Sequence, residues 1–139
     1  LVTGASQGIG RAIALRLARA GARVALAALD GEPLDALFDE MRAAGSQALK
    51  YPLDLTDDEA LGKMSAALLE DGEAVDILVN NAGIGGPTAP VHEMPVNGWD
   101  RTLALNLRVP VNAVVVPIPF TQSFNVNTRE AEVLSILNK

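Results

Sequence analysis

Thr3-Gly4-Ala5-Ser6-Gln7-Gly8-Ile9-Gly10 lies between the apolar pair Leu1-Val2 and the long stretch Arg11 to Ala20. Leu1-Val2 reads as the end of a buried strand. Ile9, Ile13 and Leu17 recur at intervals of four, the spacing of one buried helical face. A glycine-rich turn between a strand and a helix lets a ligand approach bare backbone and points the helix N-terminus at it. Gly4 suits the tight turn, Gly8 the close approach and Gly10 the contact between helix and strand. The ligand such a corner favours is anionic, and a pyrophosphate fits it. Glycine is also common at any strand-to-helix corner, so the spacing alone leaves an ordinary turn open.

Further along, strands and helices alternate. Arg23 to Leu29 is a short apolar strand that follows the helix-stopping Gly21. Leu34, Leu37, Phe38 and Met41 mark an amphipathic helix with Pro33 in its first turn and Gly45 at its end. Gln47 to Leu53 reads as a third strand. Thr56-Asp57-Asp58-Glu59 supplies capping and acidic residues for a helix whose buried face is Leu61, Met64 and Leu68. Val75 to Val79 is a fourth strand, a Gly- and Pro-rich loop runs from Gly83 to Asn97, and Trp99 to Val109 is helical. This alternation predicts an α/β fold of the Rossmann type, a doubly wound parallel sheet with strand order 3-2-1-4.

Composition narrows the class. The chain has 139 residues, the size of one domain or part of one, and 49% are hydrophobic, enough to build a core. Aromatics make up only 4%, a balance that suits helices packed on a parallel sheet. There is no cysteine, hence no disulfide frame and no thiolate metal site. A net charge of −6 and a pI near 4.6 argue against a nucleic-acid partner. No apolar run approaches the ~18 residues of a membrane span, and no signal-peptide pattern is visible. The expectation is a cytoplasmic protein without a membrane partner. The chain opens part-way into its first strand and without Met, so it reads as a fragment.

Asn80-Asn81-Ala82-Gly83 closes the fourth strand, and Trp99 to Leu107 then carries Asn106. The glycine motif, a strand ending in Asn-Asn-Ala-Gly, and a Trp-containing segment ending in Leu-Asn follow one another in a fixed order. In this the chain resembles the classical short-chain dehydrogenase/reductase family over residues 1 to about 109. The resemblance implies an NAD(P)-dependent oxidoreductase of the alcohol dehydrogenase or carbonyl reductase type. It places the cofactor against Thr3, Gly4, Ser6, Gln7, Gly8, Ile9 and Gly10. Thr3 would tie this loop to the Asn-Asn-Ala-Gly turn, where Asn80 and Asn81 fix the strand end and Ala82 and Gly83 let the adenosine ribose pass. Asp54, with Leu55 after it, matches the position whose carboxylate accepts from the adenine amino group, although it could equally open a turn before the next helix. Asn106 matches a helix-borne asparagine that holds a water in a proton relay, and its alternative is a satisfied polar residue near a helix end.

The choice between NAD and NADP is weakly encoded. An acidic residue about twenty positions after the glycine loop would bind the ribose hydroxyls, but Ala28 and Leu29 stand there and neither Gln7 nor Leu29 is basic. Asp30 could reach the ribose and repel an extra phosphate, or could cap the following helix. The balance favours NAD.

Family chemistry requires a serine-bearing strand followed by Tyr-x-x-x-Lys, where the lysine ammonium lowers the tyrosine pKa for proton transfer. The chain's single tyrosine, Tyr51, precedes the Asn-Asn-Ala-Gly motif and is followed four residues later by Leu55. The pair is missing, so the chain alone is expected to be inactive. Substrate recognition, for a small alcohol or carbonyl compound, and the usual dimer surface would also come from sequence beyond it. Pro110, Pro117 and Pro119 argue against the long helix that the family would have there, since an interior proline costs about 3 kcal/mol or more. Residues 1–109 therefore read as the Rossmann portion and 110–139 as a divergent tail, with a short helix after Asn127. A non-catalytic nucleotide-binding or subunit-association module is the alternative, with the open sheet edge beyond the fourth strand as its surface for a homo-oligomer.

Overall fold

The computed structural model describes residues 1–29, 31–70, 75–115 and 122–125, with backbone alone for 113–115 and 122–125. Asp30, Pro117, Pro119 and the helix expected after Asn127 lie outside these residues. The chain runs β1 (Val2–Thr3), α1 (Gly8–Arg19), β2 (Val24–Ala28), α2 (Gly31–Ala43), β3 (Ala48–Pro52), α3 (Asp58–Glu70) and β4 (Ile77–Asn80). After β4 come a 3-10 turn (Val91–Glu93), α4 (Val96–Leu103), a π-helical turn (Ala104–Arg108), α5 (Val109–Val115) and β5 (Gln122–Asn125). All pairings are parallel, and the sheet order is β3-β2-β1-β4-β5. The expected 3-2-1-4 order is present, extended by one strand.

Every residue of β2 is buried, as a strand covered on both faces must be. Val24, Leu26 and Ala28 pack with Ile13, Ala14, Leu34, Leu37 and Met41 from α1 and α2. Ala25 and Ala27 point the other way, toward Leu61, Met64 and Leu68 of α3 and Val109 of α5. Helix ends follow the chemistry read from the sequence. Gly21 and Gly45 adopt φ of 86° and 78°, and the residue after each donates back five positions, Ala22 to the Leu17 carbonyl and Ser46 to the Met41 carbonyl. Asp57 caps α3, its Oδ1 accepting from the amides of Glu59 (2.9 Å) and Ala60 (3.1 Å).

Three expectations are corrected. Ile9 is 61% exposed, and the buried stripe of α1 is Gly10, Ile13, Ala14 and Ala18. The helix excluded by proline exists as far as Val115. Pro110 follows a π turn in which the Val109 amide bonds the Ala104 carbonyl, five residues back. That wider turn relieves the crowding that a proline ring imposes on the preceding turn of a regular helix. Finally, β4 is not an open edge, because β5 pairs with it from Ile77↔Gln122 to Asn80↔Asn125. Residues 110–115 and 122–125 thus extend the same sheet and its helical cover. Among the described residues no helix is long and apolar enough to cross a membrane, and no group of potential metal ligands occurs.

Candidate functional site

The glycine corner sits at the carboxyl ends of β1 and β4, where parallel sheets place their ligands. Its backbone is set by close approach. Gly4 has φ 63°, and a Cβ there would lie 2.8 Å from the Ala82 Cα. At Gly10 a Cβ would stand 2.2 Å from the Gly4 carbonyl oxygen and 2.4 Å from Asn81 Nδ2. Gly10 is therefore pressed against the loop and the Asn-Asn-Ala-Gly turn rather than against a strand. Gly8 differs: at φ 54° a Cβ would meet nothing within 4 Å. Its bareness faces open space, as a surface for close ligand approach must.

Thr3 and Asn81 lock the corner to β4. The buried Thr3 hydroxyl donates to the Val79 carbonyl (3.2 Å) and accepts from the amides of Asn81 (3.0 Å) and Ala82 (3.1 Å). Asn81 Nδ2 donates to the carbonyls of Thr3 (2.9 Å) and Gly4 (3.1 Å). Asn80 is buried at the end of β4. The first turn of α1 is left open by comparison with α3: Gln7 occupies its cap position in extended conformation, makes no side-chain capping bond, and no acidic residue follows. The orphan amides of that turn carry the partial positive charge of the helix end.

Beside this turn lies a cleft of about 290 Å³ whose lining includes Gly4, Ser6, Gln7, Asp54, Leu55, Asn81, Ala82 and Gly83. Most of the residues expected at the cofactor thus meet in one place. Ile9 stands exposed in the first turn of α1. Ala28, Leu29, Leu53, Thr56, Ile84, Arg101 and Leu105 complete the wall. A second cavity, about 190 Å³ and lined by Leu1, Arg23, Leu68 and Asp76 among others, opens at the opposite ends of the strands.

Asp54 Oδ1 accepts from both the amide (2.9 Å) and the hydroxyl (2.7 Å) of Thr56. These bonds, the hydroxyl first, hold its carboxyl below the usual carboxylate range against some desolvation, and Arg101 adds to the lowering. The turn-forming alternative for Asp54 is therefore real, and its position in the cleft wall is compatible with both roles. Asn106 lies in the π turn, and both ends of its amide are engaged. Its Nδ2 donates to the Ile84 carbonyl and its Oδ1 accepts from the Ile84 amide, each at 3.0 Å. Tyr51 sits half-buried in β3, opposite Ala27, away from the glycine corner.

The model of the short chain dehydrogenase family matches residues 1–127. The chain belongs to this family. The match passes residue 109 and takes in α5 and β5, beyond the extent of the resemblance read from the motifs. Gluconate 5-dehydrogenase of Gluconobacter oxydans is 42% identical over 114 residues, 82% of this chain and 43% of that protein. Fatty acyl-CoA reductase of Acinetobacter baylyi is 40% identical over 121 residues, 86% of this chain and 41% of that protein. A metagenomic short-chain oxidoreductase solved in complex with NADP superposes with a TM-score of 0.79 at 42% identity, covering 83% of this chain and 52% of that one. A 7α-hydroxysteroid dehydrogenase complexed with NADH and 7-oxo glycochenodeoxycholic acid reaches 0.75 at 35% identity, covering 83% and 44%. The chain spans less than half the length of the curated relatives it matches.

Arg101, Thr56 and Leu105 carry no motif and were not expected at the cleft. Helical spacing does place 101 and 105 on one face of the segment after Trp99, but only the fold shows which face meets the glycine corner.

Proposed function

We propose that this chain forms the dinucleotide-binding portion of an oxidoreductase acting on alcohol or carbonyl compounds. The observation that carries the reading is the uncapped first turn of α1, with Gly8 facing open space, next to a cleft whose wall includes Gly4, Ser6 and the cap residue Gln7. A nicotinamide dinucleotide, when bound, supplies the hydride acceptor or donor. This chain's residues bind and orient it. The amides around Gly8 receive the diphosphate, Thr3 and Asn81 hold the corner rigid, and Ala82 and Gly83 leave room for the adenosine ribose. Asp54 accepts from the adenine amino group through Oδ2, since Oδ1 is spent on Thr56. Asn106 acts as a positioning residue, fixing the Ile84 stretch of the cleft wall.

Neutral Ala28 and exposed Leu29 offer nothing to a 2′-phosphate, which favours NAD. Without Tyr-x-x-x-Lys the 139-residue chain does not turn over by itself. Titration of the purified chain, followed by Trp99 fluorescence, should show weak NAD binding that exceeds NADP binding, with no oxidation of secondary alcohols above background. Equal or tighter NADP binding would contradict the cofactor choice, and turnover would contradict the inactivity.

A second reading, a subunit-association module, is supported by an apolar stripe. Val96, Trp99, Leu103, Leu107 and Val111 recur along the helical run and are 45–73% exposed. This stripe takes over the role assigned from sequence to the edge of β4, which β5 covers. Size-exclusion chromatography with light scattering should then report a dimer or larger species that Leu103→Glu converts to monomer, whereas a monomeric parent chain argues against the module.

A further inference from the structure

Gly98, Thr102 and Asn106 follow one another at intervals of four along the helical run and share one of its faces. The loop that leaves β4 lies along that face and runs the opposite way. Asn106 holds Ile84 by two bonds of 3.0 Å. One turn earlier in the helix, a Cβ on Gly86 would stand 3.3 Å from Thr102 Oγ1 and 3.6 Å from its Cγ2. One turn earlier again, a Cβ on Gly98 would stand 2.9 Å from Pro87 Cγ and 3.2 Å from its Cδ. Neither glycine has a positive φ, so each is bare because of its neighbour and not because of its backbone. Thr102 has little freedom to yield, since its hydroxyl donates to the Gly98 carbonyl at 2.8 Å.

We propose that Gly98 and Thr102 are positioning residues that seat Pro87 and Gly86 and so hold Ile84 in the cleft wall. The proposal rests on the dinucleotide reading above and goes beyond it, since Ile84 lines the cleft while Gly86, Pro87, Gly98 and Thr102 do not. Gly83, Gly85 and Gly86 give this loop a large conformational freedom that must be lost when it orders. Close contact with the helix removes that freedom before any ligand arrives, and a wall fixed in advance binds more tightly. The tightest of these contacts is Gly98 against Pro87, where two short residues let helix and loop meet without an intervening side chain. A methyl group at Gly98 strikes the proline ring and lifts the loop. The displacement passes through Gly86 to Ile84, three residues from Pro87 and bonded to Asn106.

Calorimetric NAD titration, thermal unfolding and the Ile84 amide signal of the 139-residue chain test the seating. Alanine in place of a helical glycine ordinarily raises stability. Here Gly98→Ala should melt within about 3 °C of the parent yet bind NAD about 3–10-fold more weakly. Its Ile84 amide proton should move upfield as the bond to Asn106 lengthens. Gly98→Ala/Pro87→Ala lacks the ring atoms that the new methyl strikes, so it should bind NAD within about 2-fold of Pro87→Ala alone. Thr102→Ala adds no bulk and removes what Gly86 rests on. It should speed hydrogen exchange of the Ile84 amide and weaken NAD binding about 2–3-fold. Parental NAD affinity with an unmoved Ile84 amide in Gly98→Ala would overturn the proposal, as would a loss that persists in the double variant. A parent chain that bound no NAD would overturn the dinucleotide reading, and the Ile84 amide would then decide the seating by itself.

Discussion

Gly10→Ala should unfold about 10 °C below the parent chain and lose dinucleotide binding altogether. The added Cβ would sit 2.2 Å from the Gly4 carbonyl oxygen and 2.4 Å from Asn81 Nδ2. A flexible side-chain tip could move aside, but the Gly4 carbonyl is main chain. It belongs to a loop tied to Asn81 Nδ2, the same group that the Cβ would strike. Overpacking against backbone costs about 3 kcal/mol, a large part of a net stability of roughly 5–15 kcal/mol. For a domain of this size that corresponds to about 10 °C in Tm. The same displacement swings the first turn of α1 away from the cleft, so binding falls with stability. Gly8→Ala is the informative contrast. Its Cβ meets nothing within 4 Å, so stability falls only by the strain at φ 54°, about 1 kcal/mol, while the methyl fills the space left for the ligand. Thermal unfolding with a parallel NAD titration separates the two: Gly10→Ala loses both properties, Gly8→Ala mainly binding. A Gly10→Ala protein with parental Tm would show that the corner is loose.

Thr3→Val should cost about 3 kcal/mol, with Thr3→Ser close to the parent. The substitution keeps the shape of the side chain and removes one oxygen at a site only 2% exposed. That oxygen accepts from the amides of Asn81 and Ala82 and donates to the Val79 carbonyl. Two backbone amides lose this acceptor at once, at about 1–3 kcal/mol for each buried group left unsatisfied. Serine retains the hydroxyl and gives up one methyl. Denaturant unfolding measures both variants. If Val and Ser were equally destabilising, the methyl packing of Thr3, not its hydroxyl, would hold β4 to the glycine loop.

The glycine corner was legible in the sequence because its demands are local. Positive φ at Gly4 and Gly8, and lack of space at Gly10, each exclude a side chain for reasons that a short motif records. Gly21, Gly45 and Asp57 were legible in the same way, as helix stops and a cap. What escaped depends on partners distant in the chain. Pro110 argues against a helix by local rules, and the π turn that accommodates it has no sequence signal of its own. Gln122 to Asn125 lack the apolar or alternating pattern of a strand, and their pairing comes from the edge that β4 presents. Ile9 follows the helical period yet stays exposed in the open first turn of α1. Asn106 was recognised, but not its engagement with Ile84, which is set by how the loop after β4 folds back on the helical run. Arg101 gained a place in the cleft only through the packing of that run.

The central claim is that the amides at the start of α1 receive the diphosphate of a dinucleotide. Two-dimensional amide NMR of the labelled chain during NAD titration addresses it directly. The largest shifts should fall on Ser6, Gln7, Gly8 and Ile9, with smaller ones at Ala82 and Gly83, and Gly8→Ala should abolish them. Shifts confined to the opposite ends of the strands, around Arg23 and Asp76, or no shifts at millimolar NAD, would contradict it.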